Sequence, residues 1–191
     1  MTTDLGRPRD PRIDSAVLRS TVELLGETGY AELSVDAIAK RAGTSKPAIY
    51  RRWPSKAHLV HEAVFPLSEA TELPDTGSLD GDVREMVRRT VKVLTTPAAR
   101  AALPGLVGEM AADLTLHAAL LERFSGILAT GMTERLNKAM ARNEVRPDVT
   151  AAEVTEALGG ITFLALLTRS AALDDTWVER TATLILKGIS A

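Results

Sequence analysis

Six positively charged side chains lie close together in the first third of the chain, and their chemistry suits phosphate binding. Residues 37–61 contain no Asp or Glu, and their cations are Lys40, Arg41, Lys46, Arg51, Arg52 and Lys56. Lys and Arg are usually exposed, so a run of them is by itself more often a solvated helix face. A cation cluster without intervening anions is also what a polyanion requires. The elements that carry these side chains distinguish the two interpretations.

Two short helices are predicted around these cations. Apolar residues recur at helical spacing between Ser34, a favourable N-cap, and Gly43, which can adopt the left-handed conformation that ends a helix. Thr44 or Ser45 can cap a second helix, in which Pro47 is tolerated because it falls in the first turn. Two helices joined by a glycine turn make a helix-turn-helix, which presents its second helix to a DNA major groove. On such an element, the cation cluster favours DNA binding.

Residues within and around the two helices also follow the pattern of a known family. They are Gly29, Tyr30, Ser34, Val35, Ile38, Ala39, Ala42, Gly43, Ser45, Ile49, Tyr50, Trp53, Pro54, Ser55, Lys56 and Leu59. At these positions the chain resembles a TetR-type (TetR/AcrR-like) transcriptional regulator. The resemblance is strong over residues 12–66 and weaker, but present, to the C-terminus. It implies an N-terminal three-helix head with the helix-turn-helix, followed by a C-terminal helical bundle for ligand binding and dimerisation.

The resemblance further implies which side chains touch DNA. Lys46 or Arg51 could donate hydrogen bonds to guanine O6 and N7, while small apolar residues suit a thymine methyl and hydroxyls suit phosphate oxygens. Lys56 matches the family's phosphate-contacting lysine. Asp36 stands where some members place a base-reading cation, and an acid there would repel phosphate, which leaves the operator sequence open. The predicted DNA-binding residues are Ser34, Thr44, Ser45, Lys46, Pro47, Ala48, Tyr50, Arg51 and Lys56.

Charge and composition agree with a DNA-binding end on an otherwise acidic chain. Residues 1–60 hold ten Lys/Arg and seven Asp/Glu, a net charge of +3, whereas residues 61–191 hold thirteen and eighteen, a net charge of −5. The absence of cysteine excludes disulfides and thiolate zinc sites and suits a reducing cytoplasm. The polar start of the chain is no signal peptide. The longest uncharged run, 157–168, is shorter than the about 20 residues that span a membrane.

The remaining sequence shows only helical patterns, so an all-α fold is predicted. The predicted domains are a flexible N-terminal arm (1–11), a helix-turn-helix domain with a linking helix (12–66) and a ligand-binding and dimerisation domain (67–191). Residues 67–78 have the composition of a linker or loop. Pro104 and Gly105 predict that the helix at 97–112 is short or kinked. Other helices are predicted at 12–27, 56–65, 79–95, 114–142, 150–170 and 176–189.

Two further surfaces follow from the resemblance, which implies a ligand cavity among the C-terminal helices and dimerisation through the last two. Met and Phe at helical spacing are singly more often plain core. The apolar run 161–167 could instead be central to one chain, but the dimer is the favoured interpretation. The predicted pocket residues are Met86, Glu109, Met110, Asp113, His117, Phe124 and Phe163. The predicted dimer-interface residues are Gly159, Gly160, Phe163, Leu167, Trp177 and Leu184.

Other classes of function have less support. A helical ligand-binding or scaffolding protein could keep a helix-turn-helix for packing alone, but its basic face would then be expected to be lost. Common phosphate-binding, nucleophile-elbow, zinc-protease and dinucleotide motifs are absent, and the HLVHE stretch with His58 and His61 is not the zinc motif. No catalytic residue, metal site or cofactor is therefore predicted. Together with these observations, the resemblance implies a cytoplasmic, ligand-responsive repressor that binds a palindromic operator as a homodimer and is released by a small-molecule effector.

Overall fold

The structure, a computed structural model, describes residues 11–66 and 74–191, without the side chains of residues 121–130. In this part of the chain nine helices follow one another and no extended strand forms, apart from an isolated bridge between Val145 and Ser190. The predicted all-α fold is therefore confirmed. Residues 1–10 of the predicted arm and residues 67–73 of the predicted linker lie outside the described residues.

Four helices form the N-terminal head. Their bounds are Pro11–Glu32 for α1, Val35–Arg41 for α2, Lys46–Tyr50 for α3 and Lys56–Val64 for α4. The side chains of Ser34, Ser45 and Ser55 cap α2, α3 and α4, since each oxygen accepts a hydrogen bond from the backbone N–H three residues later. Each cap satisfies an amide that the helix leaves free and contributes about 1 kcal/mol. Ser45, rather than Thr44, is thus the cap of α3.

Glycines make the two changes of direction in the head. Gly43 has a φ of 66° between α2 and α3, and Gly29 has a φ of 75° that interrupts the helical conformation near the end of α1. Residues with a Cβ rarely adopt this left-handed region, which explains a glycine at each position. The helix-turn-helix geometry predicted from the sequence therefore forms at the predicted residues.

Five helices make up the rest of the described chain. Their bounds are Leu79–Leu94 for α5, Pro97–Ala112 for α6, Leu114–Ala141 for α7, Ala151–Thr168 for α8 and Asp175–Ile189 for α9. The prediction that this helix is short is wrong, because α6 runs through Pro104 as a single helix of 16 residues. Pro104 is exposed, so water can reach the carbonyl that loses its N–H partner there.

Two buried cores hold these helices together. The first joins the head to α6, and its members include Leu25, Ile38, Leu59, Ala99 and Leu106. The second joins α5, α8, α9 and the C-terminal part of α7, and its members include Val83, Val87, Met132, Val154 and Ile185. Although α6 follows the predicted domain boundary at residue 67, it packs as part of the head.

An ion pair holds the start of α5 against α7. Asp82 is only 4% exposed and accepts hydrogen bonds from the Thr76 backbone N–H at 2.8 Å and from the Thr76 hydroxyl at 2.9 Å. Its other carboxylate oxygen accepts a hydrogen bond from Arg135 of α7 at 2.6 Å. The buried carboxylate is thus satisfied from three directions, as a buried charge must be. This contact fixes the segment that precedes α5.

Candidate nucleic-acid interface

Helix α3 is anchored by one side chain and presents most of the others to solvent. Ile49 is the only residue of α3 that is buried, at 1% exposure. Lys46, Pro47 and Tyr50 are exposed, as is Arg51 directly after the helix. A short helix held in this way leaves its exposed side chains accessible to a major groove, which admits an α-helix. Four of the predicted residues in and directly after α3 are therefore accessible, whereas the fifth, Ala48, is partly buried.

The predicted hydroxyl contacts have a structural role as well. The Ser34 oxygen accepts the Ala37 N–H at 3.1 Å, and the Ser45 oxygen accepts the Ala48 N–H at 3.3 Å. Both serines are exposed, and Thr44 between the helices is partly exposed. A hydroxyl that accepts a cap bond keeps its own O–H to donate. The two caps are thus compatible with phosphate contact.

Lys46 is paired across the helix-turn-helix with Asp36. Its Nζ donates to the Asp36 carboxylate at 2.7 Å, and this hydrogen bond raises the pKa of Lys46. Both side chains are largely solvent-exposed, so the pair contributes little to stability. The acid that interrupts the expected basic face is therefore offset by a neighbouring cation. Sequence spacing did not indicate this pairing.

Two other cations tie the helix-turn-helix to α1. Arg41 forms a two-pronged contact with Glu27 at 2.6 and 2.8 Å, which lowers the pKa of Glu27. Arg52 pairs with Asp14 at 2.7 Å. Both arginines therefore fix the angle between α1 and the helix-turn-helix. Within the described residues, Lys40 and Arg51 are exposed cations without an ion-pair partner.

Lys56 folds back onto the end of α1. Its Nζ donates to the Tyr30 backbone carbonyl at 3.1 Å and lies 4.3 Å from the centroid of the Tyr30 ring. An ammonium group has three N–H donors, so two remain for a phosphate. Trp53, at 4% exposure, donates its indole N–H to Glu62 at 2.9 Å and is a packing residue of the head.

The predicted pocket residues lie in different surroundings. Met86 belongs to the second core and Met110 packs against the first, while Asp113 caps α7. Glu109 acts electrostatically on the buried hydroxyl of Tyr30, and His117 and Phe163 are partly buried on α7 and α8. The side chain of Phe124 lies outside the described residues. The pocket stays a prediction.

A cavity of about 220 Å³ lies elsewhere, between the start of α6 and the end of α8. Arg100, Arg169 and Ser170 give its wall a polar and positive side, and Leu166 and Leu173 an apolar one. None of the predicted pocket residues lines it. Within the described chain, no three His, Cys, Asp or Glu side chains are grouped to hold a metal ion.

Apolar side chains of α8 and α9 remain uncovered. Leu164 is 60% exposed, Leu167 59% and Leu184 64%, and no atom lies within 4 Å of where a Cβ on Gly159 or Gly160 would be. Leu164 extends the predicted interface set, because it lies one helical turn after Gly160. Trp177 is partly buried against the second core. Leu164, Leu167 and Leu184 thus leave open apolar surface on α8 and α9 at the predicted dimer interface.

Helix α8, which carries Leu164 and Leu167, is apolar over most of its length. With a mean hydropathy of 1.3 over 18 residues, α8 is long and apolar enough to cross a membrane, although the uncharged run 157–168 alone is not. Only 22% of the helix is buried inside the described chain. Helices of soluble proteins can pass the same test, so one helix of this length and composition is weak evidence for a membrane span.

Comparison with known proteins places both halves of the chain in one family. Residues 17–63 match the family model for bacterial regulatory proteins of the tetR family, and residues 73–185 match the model for a tetracyclin repressor-like C-terminal domain. The DNA-binding transcriptional repressor TetR of Mycobacteroides abscessus is 30% identical over 174 residues, which cover 87% of each chain. The transcriptional regulator YdeS of Bacillus subtilis is 29% identical over all of this chain and 96% of its own.

A solved structure of a TetR family regulator has a similar fold. The crystal structure of the TetR family transcription regulator SCO0332 superimposes with a TM-score of 0.71 at 30% identity, covering 94% of this chain and all of the other. Regulators of this family bind DNA operators, typically as dimers, and are not enzymes. The matched helix-turn-helix, the all-helical body and the similarity over nearly the whole length agree: the chain belongs to the TetR family of transcriptional regulators.

Proposed function

We propose that the protein is a cytoplasmic, ligand-responsive repressor that binds a palindromic operator as a homodimer and is released by a small-molecule effector. The observation that carries the DNA-binding part is the open face of α3, where only Ile49 is buried. Arg51 is exposed beside it without an ion pair in the described residues. A rigid helix with an accessible cation is suited to reading base edges in the major groove.

The uncovered surface of α8 and α9 supports the homodimer. Large exposed leucines on two adjacent helices are unusual for a monomer, and a second copy can cover them by two-fold symmetry. Two heads related by such an axis would read two half-sites about 34–36 Å apart, one helical turn of DNA. The operator is therefore expected to be palindromic.

An effector would release the operator by binding better to a conformation with another head spacing. The packing of α6 in the core of the head supports this part, because α6 also carries Glu109 and Met110 of the predicted pocket. A ligand that shifts α6 would consequently shift the head as well.

Selection from a library of random duplexes tests the proposal. The expected result is enrichment of a palindrome whose half-sites are one helical turn apart, bound by two chains per duplex. If no sequence is enriched over repeated rounds with folded protein, the helix-turn-helix serves packing alone and the proposal is wrong.

A further inference from the structure

We infer that Tyr30 positions Lys56 for its DNA phosphate contact. We further infer that Gly105 of α6 is required because the Tyr30 ring packs directly against it, where a Cβ would displace the ring. The inference rests on the proposed operator binding, which gives Lys56 a phosphate to contact. It connects a residue of the C-terminal half with the DNA-facing surface through one aromatic ring.

Tyr30 holds the Lys56 ammonium in two ways. The Tyr30 carbonyl accepts one N–H at 3.1 Å, and the face of the ring lies 4.3 Å below the same nitrogen. A lysine side chain otherwise loses much rotamer freedom when it is fixed at a phosphate. With the ammonium already placed, less of that freedom remains to be lost on DNA binding, and two donors stay available.

The Tyr30 ring is itself placed by Gly105. A Cβ on Gly105 would lie 2.5 Å from Cγ and 2.7 Å from Cε1 of Tyr30, closer than side-chain atoms can approach. The backbone of Gly105 is not left-handed, so space rather than conformation requires the glycine. Tyr30 is 8% exposed, which leaves the ring little room to retreat.

The polar end of Tyr30 is also enclosed. Its hydroxyl is buried and makes no hydrogen bond of ordinary geometry, although Glu109 of α6 is near enough to act on it. Burial, followed by the Glu109 carboxylate, raises the pKa of Tyr30, so the ring stays a neutral phenol at physiological pH. Both ends of the side chain therefore face α6, while its backbone carbonyl faces Lys56.

A comparison of Gly105→Ala with Gly108→Ala tests the inference. Both changes replace a glycine of α6 with alanine and raise its helix propensity alike, but no neighbouring atom lies within 4 Å of a Cβ at Gly108. Affinity for the selected duplex is measured across a salt series. If the displaced ring no longer holds the Lys56 ammonium at the phosphate, that contact is lost, and we expect Gly105→Ala to bind about tenfold more weakly and with a salt slope smaller by about 1, like Lys56→Gln. Gly108→Ala is expected to match wild type.

A double variant separates positioning from general damage. If Gly105 acts through Lys56, Gly105→Ala combined with Lys56→Gln binds no more weakly than Lys56→Gln alone. Tyr30→Phe keeps the ring and is expected to bind as wild type, whereas Tyr30→Leu removes the ring face and reproduces the smaller slope. Thermal unfolding confirms that each variant is folded at the assay temperature, and the Tyr30 variants decide the matter should Gly105→Ala not fold.

The outcomes separate the two proposals. Binding by wild type with equal affinities and slopes for Gly105→Ala and Gly108→Ala overturns the inference and leaves the proposed function standing. If Lys56→Gln binds as tightly as wild type, the inference is likewise overturned while the proposed function stands. Absence of binding to any duplex by the wild-type protein overturns the proposed function and the inference with it.

Discussion

At the scale of single residues, fewer cations of the head are open to a ligand than its composition suggests, because several are engaged in ion pairs. Of the cations between residues 37 and 61, Arg41, Lys46 and Arg52 are engaged by Glu27, Asp36 and Asp14. The two arginine pairs orient helices against α1, whereas Arg51 is left open to a ligand. The same residue type therefore holds the fold in one position and faces solvent in another.

Arg51 gives the most direct prediction at this scale. Because it is exposed and has no ion pair among the described residues, Arg51→Gln should lower affinity for the selected duplex and reduce the salt slope by about 1. Fluorescence anisotropy at several salt concentrations measures both. Arg19→Gln is the control, since Arg19 lies on α1 with 72% of its side chain exposed. Equal behaviour of the two variants would show that Arg51 does not touch DNA.

Glu153 makes the stability of α8 dependent on pH. The Thr150 hydroxyl and backbone N–H both donate to the Glu153 carboxylate and lower its pKa below the ordinary 4.5. The folded state thus favours the charged form, whose stabilisation is complete above pH 4.5 and is lost as the pH falls through the lowered pKa. Glu153→Gln should melt below wild type at pH 7, and the gap should shrink under acidic conditions. A gap that stays constant down to pH 3 speaks against this linkage.

At the scale of the elements, local signals were sufficient to predict most of the fold. The serine caps, the glycine turns and the helical apolar spacing act within a few residues, and the bounds of α5 to α9 fall within two residues of those predicted. The ion pairs could not be predicted, because Asp36 and Lys46 are ten residues apart and Glu27 and Arg41 fourteen. Charge patterns do not reveal which distant residues meet.

The continuity of α6 was missed for a related reason. Pro104 and Gly105 both favour interruption, but the helix is stabilised by packing of Ala99, Ala102 and Leu106 against the head. Local propensity is a weak prior when tertiary burial opposes it. The need for a glycine at position 105 likewise arises from Tyr30, which is far away in the sequence.

The ion pair between Asp82 of α5 and Arg135 of α7 should contribute strongly to the stability of the protein. Asp82→Ala leaves Arg135 without this buried partner and is expected to destabilise the protein by about 3 kcal/mol. Asp80→Ala, in the same first turn, removes an exposed pair with Arg84 and should cost less than about 1 kcal/mol. Urea unfolding of the two variants gives the comparison. Similar midpoints would mean that the Asp82 network contributes no more than a surface pair.

At the scale of the whole molecule, the open apolar surface of α8 and α9 is the main feature that one chain leaves uncovered. Leu164→Glu or Leu184→Glu would place a charge within the proposed interface and should yield monomers in sedimentation velocity, with weaker operator binding. Leu114→Glu is the matched control, because Leu114 is 77% exposed at the start of α7. Dimers that persist in both interface variants would require another dimerisation surface.

The packing of α6 also shows that the two predicted domains do not have separate cores. Since α6 shares the core of the head, the predicted boundary at residue 67 separates segments of sequence rather than independent cores. A change in α6 can thus reach the proposed DNA-facing surface through packed residues, among which Tyr30 lies against Gly105 with no room for a Cβ.

The most direct test of sequence-specific DNA binding by α3 is the affinity of wild-type protein for its selected duplex and for a scrambled duplex of equal length and composition, over a salt series. We expect the affinity for both duplexes to fall linearly on logarithmic axes as salt rises, while a preference for the selected duplex of at least about 10³-fold persists. Equal affinity for the two duplexes at every salt concentration would contradict it.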